Sequence, residues 1–260
     1  MRTFLFALLI LLAVSTQAHA WGLATHVELA ETVLHELALL GSGVATLLLT
    51  HRRDFLRGNV LADVIVGKRL SRRRRSSHHW AAAHRLLTYA EDDRGKAFAY
   101  GFLTHLAADT VAHNHYVPAL IQQTGSTVTL GHLYWELRAD QLTAAEHRRT
   151  FRQLIKSRHN GHEQMLADHV YPELKWFALN RSVFARLNRL TSNRRFTRAF
   201  AICEDLSRWD LSRGMIDTHK AQACQRMLEL LKLGRRSALT TEDPNGYVAL
   251  NRLRIPRRTV

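Results

Sequence analysis

The sequence is poor in proline and cysteine, with four prolines and two cysteines among 260 residues, and it has only 13 glycines. It contains no run of alternating apolar and polar residues, which excludes a half-exposed β-sheet as the main architecture. Helix-period patterns dominate instead, and no internal repeat is visible. The sequence therefore predicts an all-α fold, a single-domain multi-helix bundle with a substantial core.

Acidic residues are also scarce: 22 Asp and Glu stand against 37 Lys and Arg, for a formal charge of +15. An excess of this size favours anionic partners such as phosphate esters, lipid headgroups or nucleic acid. Its densest part is a loop of residues 67–77 that contains four consecutive arginines. The simplest alternative is that most of these arginines form a solvated surface.

Long hydrophobic runs are confined to the N terminus. Arg2 precedes an apolar run at residues 4–14, and residues 18–20 read Ala-His-Ala. This pattern is typical of a signal peptide cleaved after Ala20, which predicts export to the periplasm or the medium with Trp21 as the mature N terminus. An uncleaved anchor is the alternative. No cysteine follows the run, which excludes a lipoprotein signal, and no later stretch predicts a membrane span.

The two cysteines, Cys203 and Cys224, leave two alternatives open. In an exported protein they could form a disulfide. The residues between them read as two helical pieces, so a bridge would join adjacent helices. Two buried free thiols are the other alternative.

Residues 21–233 carry the helical patterns, and residues 234–260, which are Arg-rich and weakly patterned, are predicted to be a basic tail. Thr25 is typical of an N-cap, and it predicts the start of the first helix. A helix of residues 97–113 is predicted to end before Pro118, since proline interrupts a continuing helix.

The chemistry of the chain is concentrated in this helix. His105, Asp109 and His113 are spaced at i, i+4 and i+8, which places all three on one helix face. Imidazole and carboxylate are ligands that suit zinc. The face therefore predicts a metal site.

Further candidate ligands lie before residue 141: Trp21, His26, Asp63, His78, His79, His115, His132 and Glu136. A free Trp21 amine and its carbonyl can chelate a metal, and His132 and Glu136 are again four apart. A single histidine is usually a packed or surface residue. The combined set exceeds the four or so ligands of one zinc site, which indicates several ions.

These motifs resemble the zinc-dependent phospholipase C family and its relatives, the single-strand-specific zinc nucleases. The resemblance covers residues 21–140 and rests on three features: the Trp21 terminus, His105-x3-Asp109 with a histidine beyond it, and His132-x3-Glu136. It implies an all-helical fold with three zinc ions.

The resemblance also implies three ligand sets, the first two sharing Asp109: Trp21, His26 and Asp109; Asp63, His78 or His79, His105 and Asp109; and His113 or His115 with His132 and Glu136. The spacing of fifteen residues after Asp63 favours His78 over His79. His115 matches the six-residue spacing of the best-known relatives, but His113 lies on the same helix face as Asp109 and is favoured, with His115 as the alternative.

The function implied is that of an exported zinc-dependent phosphodiester hydrolase, phospholipase C-like, in which zinc activates a water and Asp63 orients or deprotonates it. The substrate would be a phospholipid or related phosphate ester. Lys68, Arg72 and Arg73 would lie at the rim and attract phosphate, and peripheral membrane contact would fit the charge. A nuclease or nucleotidase, with nucleic acid as the partner, and a non-catalytic zinc-binding surface protein remain the alternatives.

Overall fold

The computed structural model describes residues 21–37, 42–64, 78–157, 159–171, 177–191, 194–205, 207, 209 and 211–254. These residues form helices and short connections, with no β-strand among them. The predicted all-α multi-helix fold is therefore confirmed. The predicted signal peptide and the loop with Lys68, Arg72 and Arg73 lie outside the described residues.

The helices of the N-terminal half carry most of the candidate ligands. In order they are α1 (Leu23–His35), α2 (Ser42–Thr50), α3 (Arg52–Leu61), α4 (Trp80–Thr88), α5 (Asp93–Val111), α6 (Val117–Thr124) and α7 (Val128–Leu142). A π-helical turn, Ala112–Tyr116, connects α5 to α6 without a break.

The C-terminal half adds helices that cover the first set. They are α8 (Ala145–Lys156), α9 (Asn160–His169), α10 (Phe177–Thr191), α11 (Arg194–Asp205), α12 (Arg213–Leu233) and α13 (Tyr247–Arg254). Two 3₁₀ turns, Gly234–Arg236 and Ala238–Thr241, lie between α12 and α13.

The centre of the fold is α5, which is buried along nearly its whole length and packs against α3, α4 and α12. Two glycines let α3 and α5 touch at their backbones. A Cβ at Gly58 would overlap the carbonyl of Phe98, and one at Gly101 would overlap the carbonyl of Phe55. This close crossing brings the end of α3, where Asp63 follows, beside the face of α5 that carries His105.

The predicted end of the helix before Pro118 is wrong, because the chain continues through the π turn into α6. Pro118 is then the second residue of α6. The π turn changes the hydrogen-bond register just before it, so the missing N–H falls in the first turn of a helix, where proline is tolerated.

The predicted N-cap at Thr25 is also wrong. The N-cap is Gly22, and Thr25 lies inside the first turn of α1. Its backbone N–H and its hydroxyl both approach Asp140 Oδ1, at 2.9 and 3.1 Å. The cap is thus supplied by a carboxylate on α7, which the local sequence does not reveal.

Residues 234–254, predicted to belong to a basic tail, contain two 3₁₀ turns and α13, and parts of them are packed on the rest of the fold. Leu239 is part of the main core, and α13 packs against the π turn and α6. The weak pattern reflects short 3₁₀ turns, whose few residues cannot show an amphipathic period.

Cys224 on α12 is a buried free thiol, and the Cys203 side chain lies outside the described residues. The Cys224 Sγ lies 3.9 Å from the Leu29 carbonyl, and burial raises its pKa to about 12. None of the described helices combines the length and the apolar character needed to cross a membrane.

Candidate metal centre

The continuous helical segment formed by α5 and the π turn presents its three candidate ligands as the spacing predicts. His105 and Asp109 belong to α5 and are 0% and 1% exposed, and His113 in the π turn is also buried. His105 Nε2 lies 3.1 Å from Asp109 Oδ2, and His113 Nε2 lies 4.0 Å from the same oxygen. Asp109 is therefore approached from both sides along its own helix.

Two residues from outside α5 complete a compact set with His105 and Asp109. His78, just before α4, places its Nε2 2.8 Å from Asp63 Oδ1 and 3.2 Å from Asp109 Oδ2. His105 Nε2 is 3.5 Å from Asp63 Oδ2 and 3.1 Å from His78 Nε2. Two carboxylates and two imidazoles thus converge in the protein interior.

This set has the dimensions of a zinc site. Tetrahedral zinc with bonds near 2.1 Å separates its ligand atoms by about 3.4 Å. The separations among the four residues, 2.8 to 3.5 Å, are near that value. Two carboxylates buried together are costly without a cation. The donor types, their distances and their burial all fit a metal ion.

His26 forms a second group with the same helix. Its ring stacks on His105 with centroids 3.9 Å apart, and its Nε2 lies 3.3 Å from Asp109 Oδ1. Apart from this contact with each other, His26 Nε2 and Asp109 Oδ1 have no hydrogen-bond partner within the described part of the chain, and His26 Nδ1 has none. Buried polar atoms are normally satisfied, so these three are open positions for a ligand such as a metal ion.

The protonation states suit metal binding. Burial lowers the pKa of His26, the charge of His105 lowers it further, and Asp109 opposes both. Burial by itself would raise the pKa of Asp109, but the charge and contacts of the surrounding histidines outweigh it, and that pKa lies well below its usual value. Neutral imidazole and ionised carboxylate are the forms that coordinate zinc.

The backbone of α3 orients His105. Its Nδ1 lies 2.9 Å from the carbonyl oxygen of Asn59, which can only accept a hydrogen bond. The Nδ1 therefore carries the proton, and the lone pair of Nε2 faces Asp63 and Asp109. Sequence inspection misses Asn59, because a backbone carbonyl has no signature of its own.

The third predicted set is centred on His113 and His132. Their rings meet edge to face with centroids 5.0 Å apart, and His132 is buried. Glu136 lies one turn further along α7 and is half-buried. The structure thus brings two of the predicted residues together beside Asp109, with the third on the adjacent turn.

The two pairs of alternative histidines differ in burial. His78 and His113 are buried beside the acidic residues, whereas His79 and His115 are exposed. His79 is the N-cap residue of α4, and its side chain is exposed rather than buried with the acidic residues. Burial and distance therefore favour His78 and His113 as the ligand candidates.

Trp21 is fully buried and stacks on Tyr116 of the π turn, with centroids 4.4 Å apart. A Cβ at the next residue, Gly22, would overlap the Asp140 carboxylate. Asp140 therefore contacts the chain at Gly22 and also at Thr25, whose hydrogen bonds it accepts. It is a positioning residue that sequence reasoning missed.

A segment of the C-terminal half, residues 242–246, contacts the backbone beside the candidate ligands His78 and His113. Asn245 Nδ2 donates to the His78 carbonyl at 2.8 Å, and Trp80 Nε1 donates to the Glu242 carbonyl at 2.8 Å. Gly246 has φ +62°, and a Cβ there would overlap the His113 carbonyl. We call residues 242–246 the C-terminal strap.

In a comparison with protein families, the model described as zinc dependent phospholipase C matches residues 25–196. That match includes every candidate ligand except Trp21. No curated protein and no solved structure matches the chain.

Proposed function

Since the chain belongs to the zinc-dependent phospholipase C family, we propose that it is an exported hydrolase that uses zinc to cleave a phosphodiester bond of a phospholipid or a related phosphate ester. The single observation that carries this proposal is the buried meeting of Asp63, His78, His105 and Asp109. It supplies ligands of the right type, number and spacing for zinc.

In this proposal the three ligand sets are those that the resemblance implies, with His78 and His113 taking the ambiguous places. Trp21, His26 and Asp109 would hold one ion, and Asp63, His78, His105 and Asp109 a second. His113, His132 and Glu136 would hold a third. Zinc at these positions would supply a Lewis acid for phosphoryl oxygens and would lower the pKa of a water toward neutrality.

Side chains of the protein would orient the water, accept its proton and hold the ligands in place. Asp63 faces His78 and His105 at the end of α3, and its carboxylate would orient the attacking water and accept its proton. Asn59 and Asn245 would hold the ligands His105 and His78 in place through contacts outside the metal shell.

Export would affect metal binding through Trp21, because removal of the signal peptide would make it the N-terminal residue. Cleavage after Ala20 would free the Trp21 amine, whose pKa near 8 makes deprotonation for chelation inexpensive. The burial of Trp21 beside the π turn supports this role. Its carbonyl would close a five-membered chelate ring.

Phospholipid is the substrate class that the family favours, and the four aromatic residues that lie near candidate ligands in the sequence agree with it, although Tyr89 and Tyr247 are exposed. A nuclease should present accessible rings on which bases stack. Trp80, Tyr116 and Trp135 are buried, and Tyr134 is half-buried and packs on Phe200. The rim role of Lys68, Arg72 and Arg73, and any peripheral membrane contact, remain part of the proposal.

The decisive experiment assays mature protein beginning at Trp21 against a phosphocholine ester, phosphatidylcholine vesicles and single-stranded DNA, together with its zinc content. We expect two or more zinc ions per chain and hydrolysis of the first two substrates. Cleavage of DNA alone would identify a nuclease. Bound zinc without hydrolysis of any substrate would identify a non-catalytic zinc-binding protein, and less than two ions would contradict the trinuclear assignment.

A second experiment tests the N terminus. One residue added before Trp21 should lower zinc content and activity, because a peptide amide replaces the chelating amine. Unchanged zinc content and activity would exclude Trp21 as a ligand. N-terminal sequencing of the exported protein would establish the cleavage site independently.

A further inference from the structure

A second group of potential ligands lies at the opposite end of α3 from Asp63. Asp54 lies in the first turn of α3, and His159 and His162 lie at the start of α9. Asp54 and Asp63 are nine residues apart, which corresponds to about 13 Å along a helix. The group is therefore separate from the centre described above.

The three residues are close enough to share an ion. One ligand atom from each lies within 4.8 Å of the others. His162 Nε2 and Asp54 Oδ1 are 3.5 Å apart, near the spacing of about 3.4 Å expected between zinc ligands. His159 is half-buried and stacks on His162 with centroids 3.8 Å apart. A shift of the His159 ring would bring one of its nitrogens within coordinating distance of an ion held by Asp54 and His162.

His162 is the strongest sign of a missing partner. It is 2% exposed, and among the described residues its ring nitrogens have only weak contacts, one with Asp54 at 3.5 Å and one with the Arg94 backbone. Its ring is held between His159 and Phe98, whose centroid is 4.4 Å away. A histidine packed only as a core residue would leave its buried nitrogens with these weak contacts as their only compensation for lost water.

The surroundings of His162 favour its neutral form, which is the form that binds a metal. Burial, together with the charges of His159, Arg57 and Arg94, lowers the pKa of His162 to about 3, although a hydrogen bond with the Arg94 backbone opposes the shift. His159 Nδ1 accepts the His162 backbone N–H at 3.3 Å, a long N-cap bond. A metal ion would replace this cap as the partner of His159.

One competing cation must be displaced. Arg94 Nε lies 3.8 Å from Asp54 Oδ2, near the limit of an ion pair, and the Arg94 side chain is 61% exposed. Such a contact contributes little, and the side chain can turn into solvent. His51 Nδ1, 3.9 Å from the same oxygen, would then be available as a fourth ligand.

We propose that Asp54, His159 and His162 bind a structural zinc ion, with His51 or a water completing its coordination, that fastens the start of α9 to the start of α3. Three protein ligands of mixed imidazole and carboxylate type suit zinc. The ion would stabilise the fold on the side of α3 away from the proposed hydrolase centre. The site does not depend on the catalytic proposal.

The test measures this site in a chain whose other centre has lost its shared ligand. Mature protein carrying Asp109→Asn is stripped with a chelator, titrated with Zn²⁺ and with Co²⁺, and compared with the same chain carrying His159→Asn. We expect the second substitution to remove one further equivalent of zinc and the corresponding Co²⁺ absorption. It should also reduce the rise in melting temperature that zinc produces.

His169→Ala supplies the matched control, because His169 lies on the same helix and stacks on Tyr89 outside the group. It should leave the zinc stoichiometry unchanged. Equal zinc binding with and without His159→Asn, or an equal loss in His169→Ala, would overturn the proposal. If the Asp109→Asn chain does not fold, the stoichiometry of His159→Asn in the native sequence decides. Absence of hydrolase activity would leave these outcomes unaffected.

Discussion

The ligand-bearing region and the C-terminal strap contribute differently to the same centre. Residues 21–136 supply every candidate ligand, largely from α5 and the segments packed on it. Residues 242–246 supply no ligand, yet they contact the backbones of His78 and His113. Ligand chemistry and ligand placement therefore come from distant parts of the chain.

The difference has a physical origin. A ligand must have a particular side chain, so its identity and helical spacing are visible in the sequence. A residue that holds a ligand in place can do so through a backbone carbonyl, an amide or the absence of a Cβ. Those features depend on the fold. The following predictions test how far the two regions can be separated.

The largest effect should come from the ligand-bearing region. Asp109→Asn keeps the shape of the side chain but removes a charge that faces four histidines. If Asp109 is the shared ligand, zinc content should fall by about two ions per chain. Because even contacts beyond the metal shell alter activity 10- to 100-fold, hydrolysis should fall by more than about 100-fold.

His115→Ala is the control for Asp109→Asn, because His115 is an exposed histidine on the same helical segment. It should keep full zinc content and activity. Full zinc content in Asp109→Asn would refute the bridging assignment. Loss of zinc in His115→Ala would restore His115 as the distal ligand.

The next largest effect should come from the strap. Gly246→Ala adds a Cβ at φ +62° and directs it into the His113 carbonyl. Left-handed strain and overlap with a backbone that cannot yield should together lower the free energy of unfolding by about 3 kcal/mol. Displacement of His113 should also weaken zinc binding. Chemical denaturation of the metal-free and zinc-loaded proteins measures both effects.

Gly125→Ala separates strain from overlap. Gly125 has φ +64°, almost the value at Gly246, but a Cβ there would meet no atom within 4 Å. The substitution should cost about 1 kcal/mol through strain alone and leave zinc affinity unchanged. Equal losses at the two glycines would mean that the strap does not press on the centre.

A smaller effect is expected where α7 holds the start of α1. Asp140→Ala leaves the Thr25 backbone N–H without its acceptor and should lower the free energy of unfolding by about 2 kcal/mol. Zinc affinity should fall as well if His26 and Trp21 are ligands, because Asp140 positions both. Asp168→Ala, at an exposed acid of α9, is the control for loss of a carboxylate. Unchanged stability in Asp140→Ala would exclude the positioning role.

The sequence predicts the helical class and the ligand face of α5, because side-chain identity and a period of four residues suffice for both. It also favours His78 and His113 over their neighbours, in agreement with their burial. It misses the continuation past Pro118, since a π turn has no simple sequence signal. It also misses the strap, because short 3₁₀ turns carry no period that separates a packed segment from a tail.

The smallest effect should come from the side chain that joins the two regions most directly. Asn245→Ala removes the donor to the His78 carbonyl, a single hydrogen bond worth about 1 kcal/mol. Because the bond reaches a ligand only through its backbone, zinc affinity should fall by no more than about 10-fold. Asn251→Ala, on the exposed face of α13, should change neither quantity. A loss in Asn245→Ala as large as that in Asp109→Asn would mean that placement matters as much as ligand identity, and the two regions would then form one functional unit.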